Sequence, residues 1–242
     1  MSSPATTASS VEQPHEHHAA GSFLRDVILG GQDGLVNVLG IVLGATAAGA
    51  QPRILVATAL AATFAEAVSM GAVAYTSSLA ARDHYLSERE RETREIQELP
   101  DMERQEVRDI YRAKGFDGEL LDQIVDRITS NEETWLDIMM AEELHLEPVD
   151  TNDVLRTSVI VTIAALIGGL IPLLPFFVLG GGTLAVLIAV ALSAVALFAV
   201  GAYKATTLVG EWRRSGLQMV LIGLGAALAG FVVGRLFGVS GG

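Results

Sequence analysis

The chain has 242 residues, half of them hydrophobic, and a formal net charge of −12; it is too apolar for an ordinary soluble domain. The absence of cysteine excludes disulfides, thiolate metal sites and cysteine nucleophiles. The acidity is local: residues 83–147 hold 20 Asp/Glu against 8 Lys/Arg, and the remainder holds 8 of each, so a nucleic-acid partner, which needs a basic surface, is not expected.

Residues 1–21 are rich in Ser, Thr, Ala and His, with no basic or apolar signal-like stretch. They read as a disordered tail. Its His15, Glu16, His17 and His18 form a small cluster, read as solvated and polar rather than as a metal site. Residues 22–82 hold the first two membrane spans. Ser22 to Gln32 is an amphipathic lead-in with Arg25 and Asp26, and span one follows from Asp33 to Ala50. After the turn Gln51-Pro52-Arg53, span two starts at Ile54 and runs on past Ala81. An uncharged run of about 18 residues or more covers a ~30 Å hydrocarbon core as a helix, and residues 54–81 are interrupted only by Glu66.

Residues 83–147 read as an acidic insert of three helices, divided at Leu99-Pro100-Asp101 and at Lys114-Gly115-Phe116-Asp117, with Pro148 closing the third. Residues 148–242 hold spans three to five. Thr151-Asn152-Asp153 caps span three, and 47 uncharged residues lie between Arg156 and Lys204, too many for one span. Pro172, Pro175 and Gly180-Gly181-Gly182 divide them. A last run of 20 uncharged residues precedes Arg235. The expected fold is an all-α membrane protein of five transmembrane helices, with a three-helix cytoplasmic metal-binding insert between helices 2 and 3. Continuous apolar runs favour helices over a barrel. Basic residues gather in the insert and around Lys204, Arg213 and Arg214, so the positive-inside rule places the N-terminus and insert in the cytoplasm and the C-terminus outside or in a lumen. Gly40-x-x-x-Gly44 and Gly230-x-x-x-Gly234 read as close helix packing rather than a dedicated dimer motif.

Acidic and soft groups lie within the spans. Glu66 falls near the middle of span two, where an ionised side chain costs roughly 3 kcal/mol or more. Met70, one turn on, shares its face, and Asp33 opens span one with Asn37 on the same face. A thioether beside a carboxylate favours a transition metal over Mg²⁺ or Ca²⁺. The other reading of Glu66 is a neutral acid hydrogen-bonded to a neighbouring helix, and that of Asp33 a helix cap. In the insert, Glu92 and Glu95 are spaced i, i+3, Glu103 and Glu106 repeat the spacing, and Met139 and Glu143 are spaced i, i+4 beside Met140. These would converge as a site for Fe²⁺ or a related ion, yet the same pattern also describes a solvated helix paired with Arg89, Arg91 and Arg94, which is the favoured reading on periodicity alone. Glu142-x-x-His145 is one half of a di-iron motif without a second copy.

Together these segments resemble the vacuolar iron transporter family of plants, fungi, protists and bacteria, over residues 22–238. The resemblance is carried by Asp33-Gly34-Leu35-Val36 in span one, Glu66-Ala67-Val68-Ser69-Met70 in span two, Gly168-Gly169-Leu170-Ile171-Pro172 and Pro175-Phe176 in span three, and Ser215-Gly216-Leu217-Gln218-Met219 in span five. It implies a homodimer of five-span protomers that exchanges divalent metal for protons, moving Fe²⁺, often Mn²⁺ as well, out of the cytosol. It also implies Glu92, Glu95, Glu103, Glu106, Met139, Met140 and Glu143 as metal ligands of the insert, and Asp33 and Met70 as pathway residues. Many members carry Gly-Glu-Tyr where this chain has Val73-Ala74-Tyr75, and Glu66 then stands as the proton-linked carboxylate. The expected function is a secondary transporter, not an enzyme, with Fe²⁺ as substrate, Mn²⁺, Co²⁺ and Zn²⁺ as alternative ions, and no organic cofactor. Its partners are metal ions, protons and the lipid bilayer. Composition favours a bacterial plasma membrane over a vacuole. The rival readings are a membrane-anchored ferroxidase and a metal sensor or storage protein.

Overall fold

The computed structural model describes residues 16–207 and 210–238, with side chains from Phe23 onward. Most of the N-terminal tail and the side chains of its histidine cluster lie outside the described residues. Among the described residues, five helical spans are long and apolar enough to cross a membrane: Phe23–Ala47, Pro52–Glu98, Thr151–Leu179, Thr183–Thr207 and Trp212–Phe237. Short helices between residues 100 and 143 separate the second from the third. The chain divides into two compact units, Val73–Arg156 and the remainder.

In the membrane unit, helix α1 is unbroken from Glu16–Ala47. The lead-in and span one are therefore a single helix, and Asp33 lies along it rather than at its start. No proline interrupts this stretch, and its glycines are held helical by close packing. A Cβ on Gly30 or Gly34 would overlap the carbonyl oxygens of Val161 and Ala165 in α6 (Thr151–Leu170). Farther along, Gly40 and Gly44 meet Gly230 and Gly234 of α9 (Trp212–Phe237). The paired Gly-x-x-x-Gly motifs of the sequence thus pack on each other within one chain. Apolar burial drives little helix association in lipid, so backbone approach of this kind carries much of the packing.

Helix α2 runs from Pro52–Glu98. Its apolar first part passes without proline into a second part rich in Arg and Glu, both good helix formers. Pro100 ends it and opens α3 (Pro100–Ala113), as expected for a residue that cannot continue a helix but suits a first turn. Within the membrane unit Ser158 donates its hydroxyl to the Gly71 carbonyl at 2.8 Å. The α6 helix is capped by Asp150, which accepts from the Asn152 N–H at 2.8 Å, rather than by Thr151–Asp153. Pro172 is absorbed in a 3-10 turn, Ile171–Leu173, and Pro175 falls in the first turn of α7 (Leu174–Leu179). The break before α8 (Thr183–Thr207) comes at the three glycines, all at positive φ (70°, 139° and 92°), a run that side-chain-bearing residues rarely adopt.

The insert unit has an apolar core of Ile96, Val107, Leu121, Val125, Ile128, Trp135, Leu136, Met139 and Met140. The sequence predicts one helix from Asp117 to Pro148, whereas the structure has α4 (Gly118–Thr129), α5 (Glu132–Ile138) and a π turn, Met139–Glu143. The break comes at Ser130-Asn131. Asn131 accepts from the Thr134 N–H at 2.8 Å, a capping bond that starts a helix, while the Ser130 hydroxyl donates to the Arg127 carbonyl at 2.7 Å. Arg104 and Arg108 of α3 pair with Asp126 and Asp122 of α4. These acids stabilise the helix pair as ordinary ion pairs.

Candidate metal centre

Three carboxylates from three elements converge in the insert. Glu92 comes from the charged part of α2, Glu103 from the first turn of α3 and Glu143 from the π turn, and one oxygen from each lies within 4.8 Å of the others. Glu92 and Glu103 are only 1% and 2% exposed, although acids are rarely buried unless paired. Oε1 of Glu92 and Oε2 of Glu103 have no hydrogen-bond partner among the described residues. Burying an unpaired carboxylate is costly. Burial, followed by the hydrogen bond with Glu92 and the charges around it, pushes the Glu103 carboxyl up to about 8. Glu143 is pushed up to about 7, first by burial and then by Glu106 and Glu103. Such a site relaxes by taking up protons or a cation.

The seven expected ligands fall into different settings. Glu106 hydrogen-bonds Glu143 and so borders the trio. Glu95 is turned to Arg91, 3.5 Å from its Nε. Met139 and Met140 are buried in the apolar core of the insert. The π turn sets the direction of the last ligand: the Leu144 N–H reaches back five residues to the Met139 carbonyl at 3.1 Å, a widened turn found mostly as single insertions at functional sites. The Glu142-x-x-His145 pattern forms no ligand pair on a helix face. Glu142 pairs with Lys114, and His145 has left the helix with φ at 55°.

In the membrane unit Asn37 of α1 donates from Nδ2 to Oε1 of Glu66 at 2.5 Å, and Asp33 is within hydrogen-bond reach of the same carboxylate. Asp33, Asn37 and Met70 line one open cleft of about 670 Å³, together with Gln32, Arg25 and Lys204. Asn37, Arg25 and Lys204 are absent from the predicted pathway. Their shared cleft is a tertiary feature: Lys204 reads in the sequence as a loop residue, and the structure puts it in the last turn of α8. Asp26, assigned to an amphipathic lead-in, is 3% exposed beside Arg25 at 3.6 Å.

A bundle of apolar spans with a separate unit that gathers buried carboxylates describes an integral membrane protein that handles cations. A model of the VIT family matches residues 24–235. The chain is 33% identical over 221 residues to vacuolar iron transporter 1 of Arabidopsis thaliana, covering 91% of this chain and 88% of that protein. It is 34% identical over 215 residues to vacuolar iron transporter 1 of Eucalyptus grandis, covering 89% and 86%. With the vacuolar iron transporter of Plasmodium falciparum it shares 33% identity over 227 residues, covering 90% and 83%. The chain belongs to the VIT family. That is a transporter family and not an enzyme family, which removes the ferroxidase reading.

Proposed function

We propose that the protein carries ferrous iron out of the cytosol in exchange for protons. The observation that supports this best is the convergence of Glu92, Glu103 and Glu143 with two buried, partnerless carboxylate oxygens. Three carboxylates from three elements form an oxygen-rich site suited to a divalent cation. In this reading residues 83–147 are a cytoplasmic capture domain. Glu92, Glu103 and Glu143 take the ion, Glu95 and Glu106 complete the coordination, and Met139 and Met140 supply soft sulfur that disfavours Mg²⁺ and Ca²⁺. The relatives named as iron transporters point to Fe²⁺ as the cargo, with Mn²⁺, Co²⁺ and Zn²⁺ as ions the same ligands can take.

Asp33, Glu66 and Met70 form the transmembrane station, in a homodimer whose second protomer covers the cleft. Protons arriving from the acidic far side take the place of the metal on the carboxylates and release it. In this reading the N-terminus and insert lie in the cytoplasm and the C-terminus on the far side, as the basic loops favour, with a bacterial plasma membrane as the setting.

The experiment is Fe²⁺ entry into proteoliposomes of the purified protein containing a pH dye, with and without an inside-acid gradient. Uptake that rises with the gradient and alkalinises the lumen establishes exchange. Tight binding without flux overturns transport and leaves a storage or sensing protein.

A further inference from the structure

Glu95 stands outside the trio although it lies three residues beyond Glu92, on the same face of α2. Its ion-pair partner is Arg91. Its guanidinium is 2.9 Å from Glu88 and 3.5 Å from Glu95, and its charge also acts on Glu143. Of the ion pairs among the described residues, this is the one that engages an expected metal ligand; Arg104, Arg108 and Lys114 are paired with Asp126, Asp122 and Glu142.

We infer that Arg91 is a tethered cation that competes with the transported metal for Glu95, so that loading the centre hands Glu95 from guanidinium to metal and unloading hands it back. The inference rests on reading the acidic trio as the capture centre. Guanidinium keeps its charge at every physiological pH, so it cannot leave the competition by losing a proton. Being part of the chain, it cannot diffuse away either. Glu88 is its nearer partner and less exposed than Glu95, so Arg91 remains paired when Glu95 turns inward and no charge is stranded. The Arg91–Glu95 pair is itself substantially exposed, and exposed pairs are weak. A divalent ion can displace it, and it can re-form to help the ion leave. A carrier must release what it binds, and an internal competitor lowers affinity without removing a ligand.

The test is titration of the purified full-length protein in detergent with Mn²⁺, which does not oxidise in air as Fe²⁺ does, at fixed ionic strength. Arg91→Gln is compared with Arg94→Gln, which removes the same charge from an exposed position on the same helix. R91Q tightens Mn²⁺ binding by roughly twofold to fivefold beyond R94Q, the range expected from an exposed ion pair. The gain vanishes when Glu95→Gln is present in both. Equal affinity of R91Q and R94Q, weaker binding by R91Q, or a gain that survives E95Q overturns the latch. Glu103→Gln separates this from the underlying reading. If E103Q binds Mn²⁺ as the parent does, the centre itself is wrong; if E103Q weakens binding while R91Q matches R94Q, only the latch is.

Discussion

Asn37 and Glu66, 29 residues apart, are joined by a side-chain hydrogen bond of 2.5 Å between α1 and α2. The amide donates, so Glu66 is held as an acceptor facing α1. This is the hydrogen bond expected of an acid paired with a neighbouring helix, and the pathway role of Glu66 belongs to the proposed transport. Glu66→Gln keeps a hydrogen-bonding group of similar shape and removes the carboxylate. We expect E66Q to assemble and melt like the parent yet lose metal flux by about a hundredfold or more, in line with removal of a group that acts as a unit with others. Flux within twofold of the parent in proteoliposomes would remove Glu66 from the pathway.

The acid centre predicts a pH dependence of stability with an unusual sign. Glu103 titrates at about 8 and Glu143 at about 7 in the folded protein, against an ordinary value of 4.5. Between 4.5 and about 8 the folded chain holds protons that the unfolded chain has lost, so this contribution to stability is complete below 4.5 and disappears as pH rises through 8. The metal-free protein in detergent should melt at a lower temperature at pH 8.5 than at pH 5.5, and Mn²⁺ should restore more at the higher pH. A melting temperature that is flat or rises across this interval would contradict the buried-acid account.

Replacing Glu103 by Gln should act on stability and binding in opposite directions. Above pH 8, where Glu103 is mostly ionised, E103Q removes a buried charge and should stabilise the metal-free protein by about 1 kcal/mol or more. Mn²⁺ affinity should fall about tenfold or more, since one ligand of the trio is gone. Thermal melts and calorimetric titration of the same sample read both effects. A loss of stability together with unchanged affinity would make Glu103 a purely structural residue.

Met139 and Met140 give a test of ligand against core. Both are buried in the apolar cluster of the insert, and Met→Leu conserves volume, which usually costs less than about 1.5 kcal/mol. Met139→Leu should melt close to the parent. With a thioether ligand lost, its preference for Fe²⁺ or Co²⁺ over Mg²⁺ should drop severalfold in a competition titration. Unchanged preference assigns Met139 to packing alone.

Glycine substitutions should separate tight from open positions in the bundle. A Cβ on Gly234 would overlap the Gly44 carbonyl, whereas one on Gly225 meets nothing within 4 Å. Gly234→Ala should destabilise by about 1–3 kcal/mol through overpacking and lower the melting temperature by several degrees; Gly225→Ala should not. Equal effects would mean that α1 and α9 do not cross as closely as described.

The five spans were legible because uncharged length is a direct requirement of the bilayer, and the breaks at Pro100 and Gly115 because backbone chemistry allows little else there. The break at Ser130-Asn131 was not, since it depends on which hydroxyls and amides choose backbone partners, and no proline or glycine marks it. The continuity of α1 through Gly30, Gly31 and Gly34 was hidden for the opposite reason: glycines that look like an interruption are held helical by a neighbour remote in sequence. In the insert, periodicity gave helix faces but not which faces meet. The three-residue spacing treats Glu92 and Glu95 alike, whereas in the structure Glu92 meets Glu103 and Glu143 and Glu95 faces Arg91. Lys204 and Arg25 had no sequence signal tying them to Asp33, because the cleft they share forms only when four helices assemble.

The π turn at Met139–Glu143 has a consequence for reading other chains. Wound as an α turn, the same residues would carry Glu143 about one residue further around the helix, and a shift of one residue rotates a side chain by about 100°. That unbroken α winding would keep all three glutamates of the trio present and in order, with the third carboxylate carried away from the other two. Deleting one residue of the turn would instead remove its extra residue and leave Glu143 nearly in place. A chain aligned to this one can therefore retain every acidic letter and still lack a centre, if the turn that carries its third glutamate is not widened.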